Sequence, residues 1–372
     1  MSNAQSARTP KTNYKRIALT ALGALLFGGL ILLTLLSLPS GGLAALFAGS
    51  AEAGYPYGTQ GQSVIGLLPA EKGTALFSAD GVTLLDKKAR ELYSRRLDYA
   101  DPTIAGAYGR YLLANRADGR YFLHNAKSPL FEGKLQSPVT LAAVSKNHAA
   151  LASQTAAGET RLEVLDAAGE RVFEWSGREE RITSVSLSPD GSCAAVSLLR
   201  MAEGERYSRA LIFDVARGSI TGEADFGQST LLRVCFTEKN LLYVLGETLF
   251  ACLKTDGGRA VSDVELAQPE RFAFSENGRA ALILRGEDNE MTLRVYDTSG
   301  GQAWDKSFAS VSALALDDKN TAVLQGDTLE IYDKKGKLLA ALDTGANPVR
   351  AVVLCKKTVY ALTNTQIEQF TF

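Results

Sequence analysis

The chain has 372 residues, 46% of them hydrophobic and 22% charged, with a formal net charge of −1. That balance excludes a disordered or collagen-like chain. After Arg16 there are 36 basic against 41 acidic residues and no basic stripe, which argues against a nucleic-acid partner.

Met1 to Arg16 is a polar tail with four basic residues (Arg8, Lys11, Lys15, Arg16) and no acidic one. Ile17 to Leu38 follows as 22 residues without a charge. At about 1.5 Å per residue a helix of that length spans a hydrocarbon core of roughly 30 Å. Because the basic flank comes first, residues 17–38 are expected to be a single transmembrane helix with residues 1–16 in the cytoplasm and the rest outside. The rival reading is a cleaved signal peptide, with Ala51-Glu52-Ala53 as the cleavage site. The apolar run exceeds the signal-peptide range of about 7–15 residues, which favours the uncleaved anchor. Residues 39–54, rich in Gly, Ala and Pro, read as a linker before a domain at 55–372.

From Ser63 onward one unit recurs, seen most plainly in Phe272–Trp304. A short apolar segment ends in the turn Glu276-Asn277-Gly278, where Asn-Gly supplies the positive φ of a tight hairpin. Ala280 to Leu284 is a continuous apolar run of strand length, so both its faces should be buried. Thr292 to Tyr296 is a third strand, Asp297-Thr298-Ser299-Gly300-Gly301 a turn, and Gln302 to Phe308 a fourth strand of exposed-edge character. The third strands of successive units end near Asp86, Asn125, Asp166, Asp214, Lys254, Asp297, Asp333 and Phe370, at spacings of 36 to 48 residues. Four strands per period near 40 fit a β-propeller rather than a helical solenoid. The expected fold is therefore all-β, an eight-bladed propeller, or seven-bladed if a terminal unit is degenerate.

The eighth unit stops after its third strand, so a ring of these units lacks one strand. Tyr55 to Gln60 is expected to supply it, because an unpaired edge invites aggregation. The longest spacing marks an insertion, Leu199 to Arg209, between the second and third strands of the fourth unit; Arg285 to Glu290 is a shorter one in the sixth. Each is either a hairpin extended into solvent or a lip that contacts a partner.

Catalytic and metal chemistry is sparse. There are two histidines, His124 and His148, without a carboxylate at ligand spacing. The four cysteines form no C-x-x-C pair and fall at core-like strand positions. Cys235 and Cys252 lie two strands apart in one unit, roughly 9.6 Å and too far for a disulfide, whereas a Cys193–Cys235 bridge between units is conceivable. No phosphate-binding glycine motif and no calcium loop is found, and no cofactor is expected. An Asp closes the third strand in five of the eight units (Asp86, Asp166, Asp214, Asp297 and Asp333), a repetition expected of a turn requirement and not of a catalytic group. Trp175 and Trp304 are read as packing against the neighbouring unit. Arg178-Glu179-Glu180-Arg181 reads as a solvated connection.

VYDTSGGQAW (295–304), VLDAAGERVFEW (164–175) and IYDKKGKLLAAL (331–342) resemble the strand-turn-strand signature of quinoprotein-like propellers, and SLSPDGSCAAVS (186–197) that of WD-type and TolB-type propellers. The whole plan resembles an uncharacterised family of membrane-anchored propeller proteins of Gram-positive bacteria. The resemblance implies a fold, because propellers host many unrelated functions.

Two functions are consistent with these residues. One is a non-enzymatic scaffold that binds a cell-envelope protein, peptide or glycan. The other is a funnel-site enzyme or small-ligand sensor. Candidate partner-contact residues are Arg200, Glu203, Glu205, Arg206 and Tyr207 in the first insertion and Glu287, Asp288, Asn289 and Glu290 in the second. If Leu68, Ala107, Val144, Leu187, Phe236, Phe274, Leu316 and Leu354, which precede the first turns, line the axis, the funnel is apolar and catalysis there is disfavoured.

Overall fold

The computed structural model describes residues 54–286 and 288–372. The anticipated tail, transmembrane helix and most of the linker lie outside these residues. Among the described residues no helix is long and apolar enough to cross a membrane.

The described chain forms eight four-stranded antiparallel sheets. Seven of them take four consecutive strands: blade 1 runs from Val64 to Arg96, blade 2 from Pro102 to Lys134, blade 3 from Val139 to Gly177 and blade 4 from Glu180 to Asp225. Blade 5 runs from Leu231 to Glu265, blade 6 from Pro269 to Phe308 and blade 7 from Ala313 to Asp343. Blade 8 takes three strands from Ala351 to Thr371, and its fourth is Tyr57–Gly58 from the other end of the chain. There Tyr57 pairs with Ile367 and Gly58 with Gln366. The ring has eight blades, closed by the anticipated segment.

In each blade the strands are designated a to d in pairing order, with a innermost and d at the rim; in blade 8 the Tyr57–Gly58 strand is d. The burial pattern follows the sequence. Strand b is largely apolar on both faces, and Gly73–Ser78 and Arg110–Asn115 are buried along their whole length, whereas strand c alternates in several blades, as in Thr160–Leu165 and Thr328–Asp333. Rim strands such as Glu91–Arg96 and Pro129–Lys134 alternate between exposed and half-buried residues. Sandwiching each sheet between two others explains why strand b shows no polar face.

The core is divided into eight hydrophobic clusters, each shared by two successive blades. The one that closes the ring joins Leu67, Leu76 and Leu85 of blade 1 to Val353, Tyr360 and Ile367 of blade 8, with Tyr55 and Tyr57 packed against it. The rings of Tyr55 and Tyr360 lie 5.1 Å apart, and the Tyr55 hydroxyl donates to the Asp86 carbonyl. Of the eight positions before the first turns, Leu68, Ala107, Phe274 and Leu316 are half-buried and the other four are buried. Each packs within one of the clusters between blades, Leu68 between blades 1 and 2 and Leu354 between blades 7 and 8. A residue before a turn turns sideways into the neighbouring blade because that surface is apolar.

The recurrent acidic turn residues behave as anticipated. Oδ1 of Asp86, Asp166, Asp297 and Asp333 each accepts two backbone N–H groups of its own c–d turn. Asn125 does the same in blade 2. The two tryptophans dock on the next blade, Trp175 5.6 Å from the ring of Phe213 and Trp304 5.5 Å from that of Tyr332. Gly336 lies against Trp304 at φ +80°, and a Cβ there would come within 2.8 Å of the indole. Only glycine serves both demands.

Candidate functional site

Strand alternation puts the a–b and c–d turns on one face of the ring. The b–c turns and the links between blades lie on the other. Both insertions read from the sequence are b–c turns, so they share that second face.

The blade 4 insertion is a continuation of the sheet. Strands b and c extend as Cys193–Ala202 and Glu205–Asp214, paired in unbroken register out to Ala202 and Glu205. Glu203 and Gly204 turn the hairpin at φ of 52° and 85°, which gives the twist of a tight two-residue hairpin. The base is held by Arg209. Its Nε and Nη2 meet the two carboxylate oxygens of Glu180 at 2.9 and 2.8 Å, and its Nη1 meets Glu223 at 2.6 Å. Glu180, anticipated as part of a solvated link, has its side chain only 12% exposed. This ion pair raises the Arg209 guanidinium above its ordinary range, through the hydrogen bond to Glu180 first.

The tip leans toward blade 5. Arg206 Nη1 donates to Thr230 Oγ1 at 2.8 Å and lies 3.5 Å from Glu247. Glu205 accepts from Gln228 at 2.8 Å and from the Tyr207 hydroxyl at 3.0 Å. The Arg200 guanidinium lies 5.9 Å from the Tyr207 ring centroid. Arg200, Glu203, Glu205, Arg206 and Tyr207 are therefore brought together on one projecting element, all exposed. Beside them Met201 is 61% exposed. Met201 and Arg209 fall inside the insertion but not among its candidate contact residues, and neither do Glu180, Gln228, Thr230 and Glu247. Only strand alternation through the insertion could have separated Met201 and Arg206 from Arg200 and Tyr207.

The blade 6 insertion is a small closed loop. The Gly286 N–H donates to the Glu290 carbonyl at 2.9 Å, and Asn289, at φ 60°, accepts at its Oδ1 from Arg285 Nη1 at 3.2 Å. Arg285 also pairs with Glu270. Asp288, Asn289 and Glu290 are exposed, and Glu287 lies outside the described residues. Blade 5 stands between this loop and the hairpin, so the two candidate groups do not form one site.

The opposite face carries a feature absent from the sequence reading. Tyr108, in the a–b turn of blade 2, donates its backbone N–H to Glu276 Oε1 at 2.8 Å and its hydroxyl to the Glu276 carbonyl at 2.6 Å. Glu276 belongs to the a–b turn of blade 6, across the ring. Lys146 Nζ from blade 3 lies 5.4 Å from the Tyr108 ring centroid, and Asp318 of blade 7 accepts from the Asn277 amide at 3.2 Å.

All four cysteines are free. Burial pushes the thiols of Cys235 and Cys252 up to about 11, away from the thiolate form that reacts. Among the described residues no group of three or more His, Cys, Asp or Glu side chains is placed to hold a metal ion. His124 is enclosed by Tyr93, Tyr111 and Phe122, and its Nδ1 lies 3.0 Å from the Asn125 carbonyl.

These features define an eight-bladed β-propeller with one built-out blade. Residues 59–372 match the family of unknown function DUF5711, and the chain belongs to that family. No curated protein matches the sequence. Among solved structures, the chain is similar to BamB from Moraxella catarrhalis, with a TM-score of 0.52 and 16% identity over 82% of this chain and 96% of that one. It is also similar to the C-terminal WD40 domain of Sif2, with a TM-score of 0.60 and 11% identity over 84% of this chain and 96% of that one. At such identities the likeness is one of fold.

Proposed function

We propose that this chain is a non-enzymatic interaction scaffold at the cell envelope. The apolar segment 17–38 anchors it, the propeller is displayed outside, and the blade 4 hairpin binds an envelope protein, peptide or glycan. One observation carries the reading: the hairpin is the place where the repeat is built outward as an unbroken extension of the sheet, with Arg209 holding its base and Met201, Arg200 and Tyr207 presented at its tip. Arginine, tyrosine and methionine are residue types enriched in interfaces. The apolar length and the basic flank support the anchor. The Tyr108–Glu276 bridge across one mouth of the ring weighs against a funnel-site enzyme entered from that face.

A photo-crosslinking residue at Met201, compared with one at the exposed Lys334 on the opposite face, tests the proposal in intact cells. The scaffold reading expects a discrete envelope adduct from Met201 that Tyr207→Ala reduces. Adducts indistinguishable between the two positions would sink it. Recovery of the chain in the soluble fraction after lysis would remove the anchoring part.

A further inference from the structure

Two arginines are buried at equivalent places in opposite blades. Arg110 opens strand b of blade 2, and Arg279 immediately precedes strand b of blade 6. Each is 6% exposed. Each sends Nη1 to the same backbone position of the next blade, Arg110 to the Ser145 carbonyl at 2.9 Å and Arg279 to the Asp317 carbonyl at 2.9 Å. In each, Nη2 is buried and has no partner.

Their electrostatic surroundings differ. At Arg279 the burial that lowers the guanidinium is opposed by Asp317, Asp318, Asp297 and Asp333. At Arg110 burial acts with no acidic group opposing it. The register explains the difference. Ser145 stands where blade 7 has Asp317, and Lys146 where it has Asp318. A serine thus stands in the place of the first compensating acid, and a second cation in the place of the next. Among the described residues no carboxylate pairs with Arg110, Lys127 or Lys146. A buried cation without a counter-ion is costly.

Arg110, Lys127 and Lys146 line one open cavity of about 390 Å³ between blades 2 and 3, together with Tyr108, Asn125 and the single acidic residue Glu71. The volume falls within the small-ligand range of roughly 300–1,000 Å³. Glu276 also faces Lys146 from across the mouth. The three cations outnumber these two acids.

We propose that this cavity binds the oxyanion of a small ligand, a carboxylate or phosphate group, with Lys127 and Lys146 holding it and the Arg110 guanidinium supplying the fixed charge behind them. The site lies on the face opposite the hairpin and does not depend on the scaffold reading.

The test is thermal denaturation of the purified full chain titrated with inorganic phosphate and, separately, with acetate, at constant ionic strength set with chloride. Binding to the folded state raises the midpoint with concentration. Phosphate acting at lower concentration than acetate identifies a phosphate site, and the reverse order a carboxylate site. Lys146→Asp supplies the acid that blade 7 has at Asp318, with Ser145 still in the place of Asp317. It should raise the midpoint without added anion, because Arg110 gains a counter-ion, and weaken the anion response by about tenfold or more. Lys127→Ala, an exposed change that leaves Arg110 in place, should weaken the anion response and leave the starting midpoint unchanged. No response to either anion in the unaltered chain, or equal responses in the unaltered chain and Lys146→Asp, overturns the site.

Discussion

Tyr108 and Glu276 lie 168 residues apart in sequence and meet by two hydrogen bonds that cross the ring. Blades 2 and 6 are four steps apart in a ring of eight, so the contact ties opposite sides together. Tyr108 adopts φ of 54°, a left-handed conformation that costs a non-glycine residue roughly 1–2 kcal/mol. The two bonds to Glu276 offset that strain. Tyr108→Phe keeps the ring and the backbone bond but removes the hydroxyl donor. It should lower stability by about 1 kcal/mol, the net worth of one such bond. It should also speed exchange of the Tyr108 amide. Urea denaturation and amide hydrogen exchange measure the two effects; unchanged exchange would show that the bridge does not persist in solution.

Ring closure sets a second expectation. The Tyr57–Gly58 strand supplies the fourth strand of blade 8, and Tyr55 packs on Tyr360 behind it. The family match begins at residue 59, just beyond this strand. A chain trimmed to the matched residues should therefore expose the edge of Gln366–Thr371 and open the contact between blades 8 and 1. Deleting Tyr55–Gln60 should sharply lower the melting midpoint and promote association, which calorimetry and size-exclusion chromatography would register. An unchanged midpoint would mean that the apolar packing alone closes the ring.

His124 gives a pH dependence of definite sign. Burial pushes its imidazole from an ordinary 6.5 down to about 4, with Arg95 adding to the effect and the Asn125 carbonyl opposing it. The unfolded chain therefore takes up a proton below about pH 6.5 that the folded chain refuses until about pH 4. The His124 contribution is fully present above pH 6.5 and is lost progressively as the pH falls to 4. Its full size is roughly 3 kcal/mol at 1.36 kcal/mol per unit. Asp86 and Asp190 are held below the usual carboxylate range by turn hydrogen bonds and contribute a further loss at lower pH. His124→Phe should flatten the stability profile between pH 6.5 and 4 while leaving the acidic limb intact. A profile of unaltered slope would refute the assignment.

The sequence carried the ring in its repeats, because a strand buried on both faces and an Asp that caps a turn leave local signatures. Asp297 and Trp304 were legible as architecture for that reason, and so was the missing strand of blade 8. What could not be read is where distant turns meet. Nothing local to Tyr108 points to Glu276, and nothing local to Arg110 shows that its neighbour across the blade interface is Ser145 while Arg279 meets Asp317. The blade 4 insertion was legible as an excess of length, but not as a sheet extension. Its base is held by Glu180 and Glu223, which are distant in sequence from Arg209.

That ion-paired base separates support from recognition within the hairpin. Arg209→Ala strands Glu180, whose side chain is largely buried, and leaves Glu223 without its partner. Removing one member of a partly buried bidentate pair should cost on the order of 1–3 kcal/mol. Arg209→Lys keeps the charge but loses the fork and should fall between. At the tip, Met201→Ala and Arg200→Ala remove exposed atoms and should change stability by less than about 0.5 kcal/mol. With the crosslinking residue at position 201, Arg200→Ala should reduce partner crosslinking from the hairpin at unchanged melting midpoint. Chemical denaturation alongside the crosslinking assay reads the two effects separately. Tip variants that lower stability as much as Arg209→Ala would place the tip inside the folded core and remove it as a recognition surface.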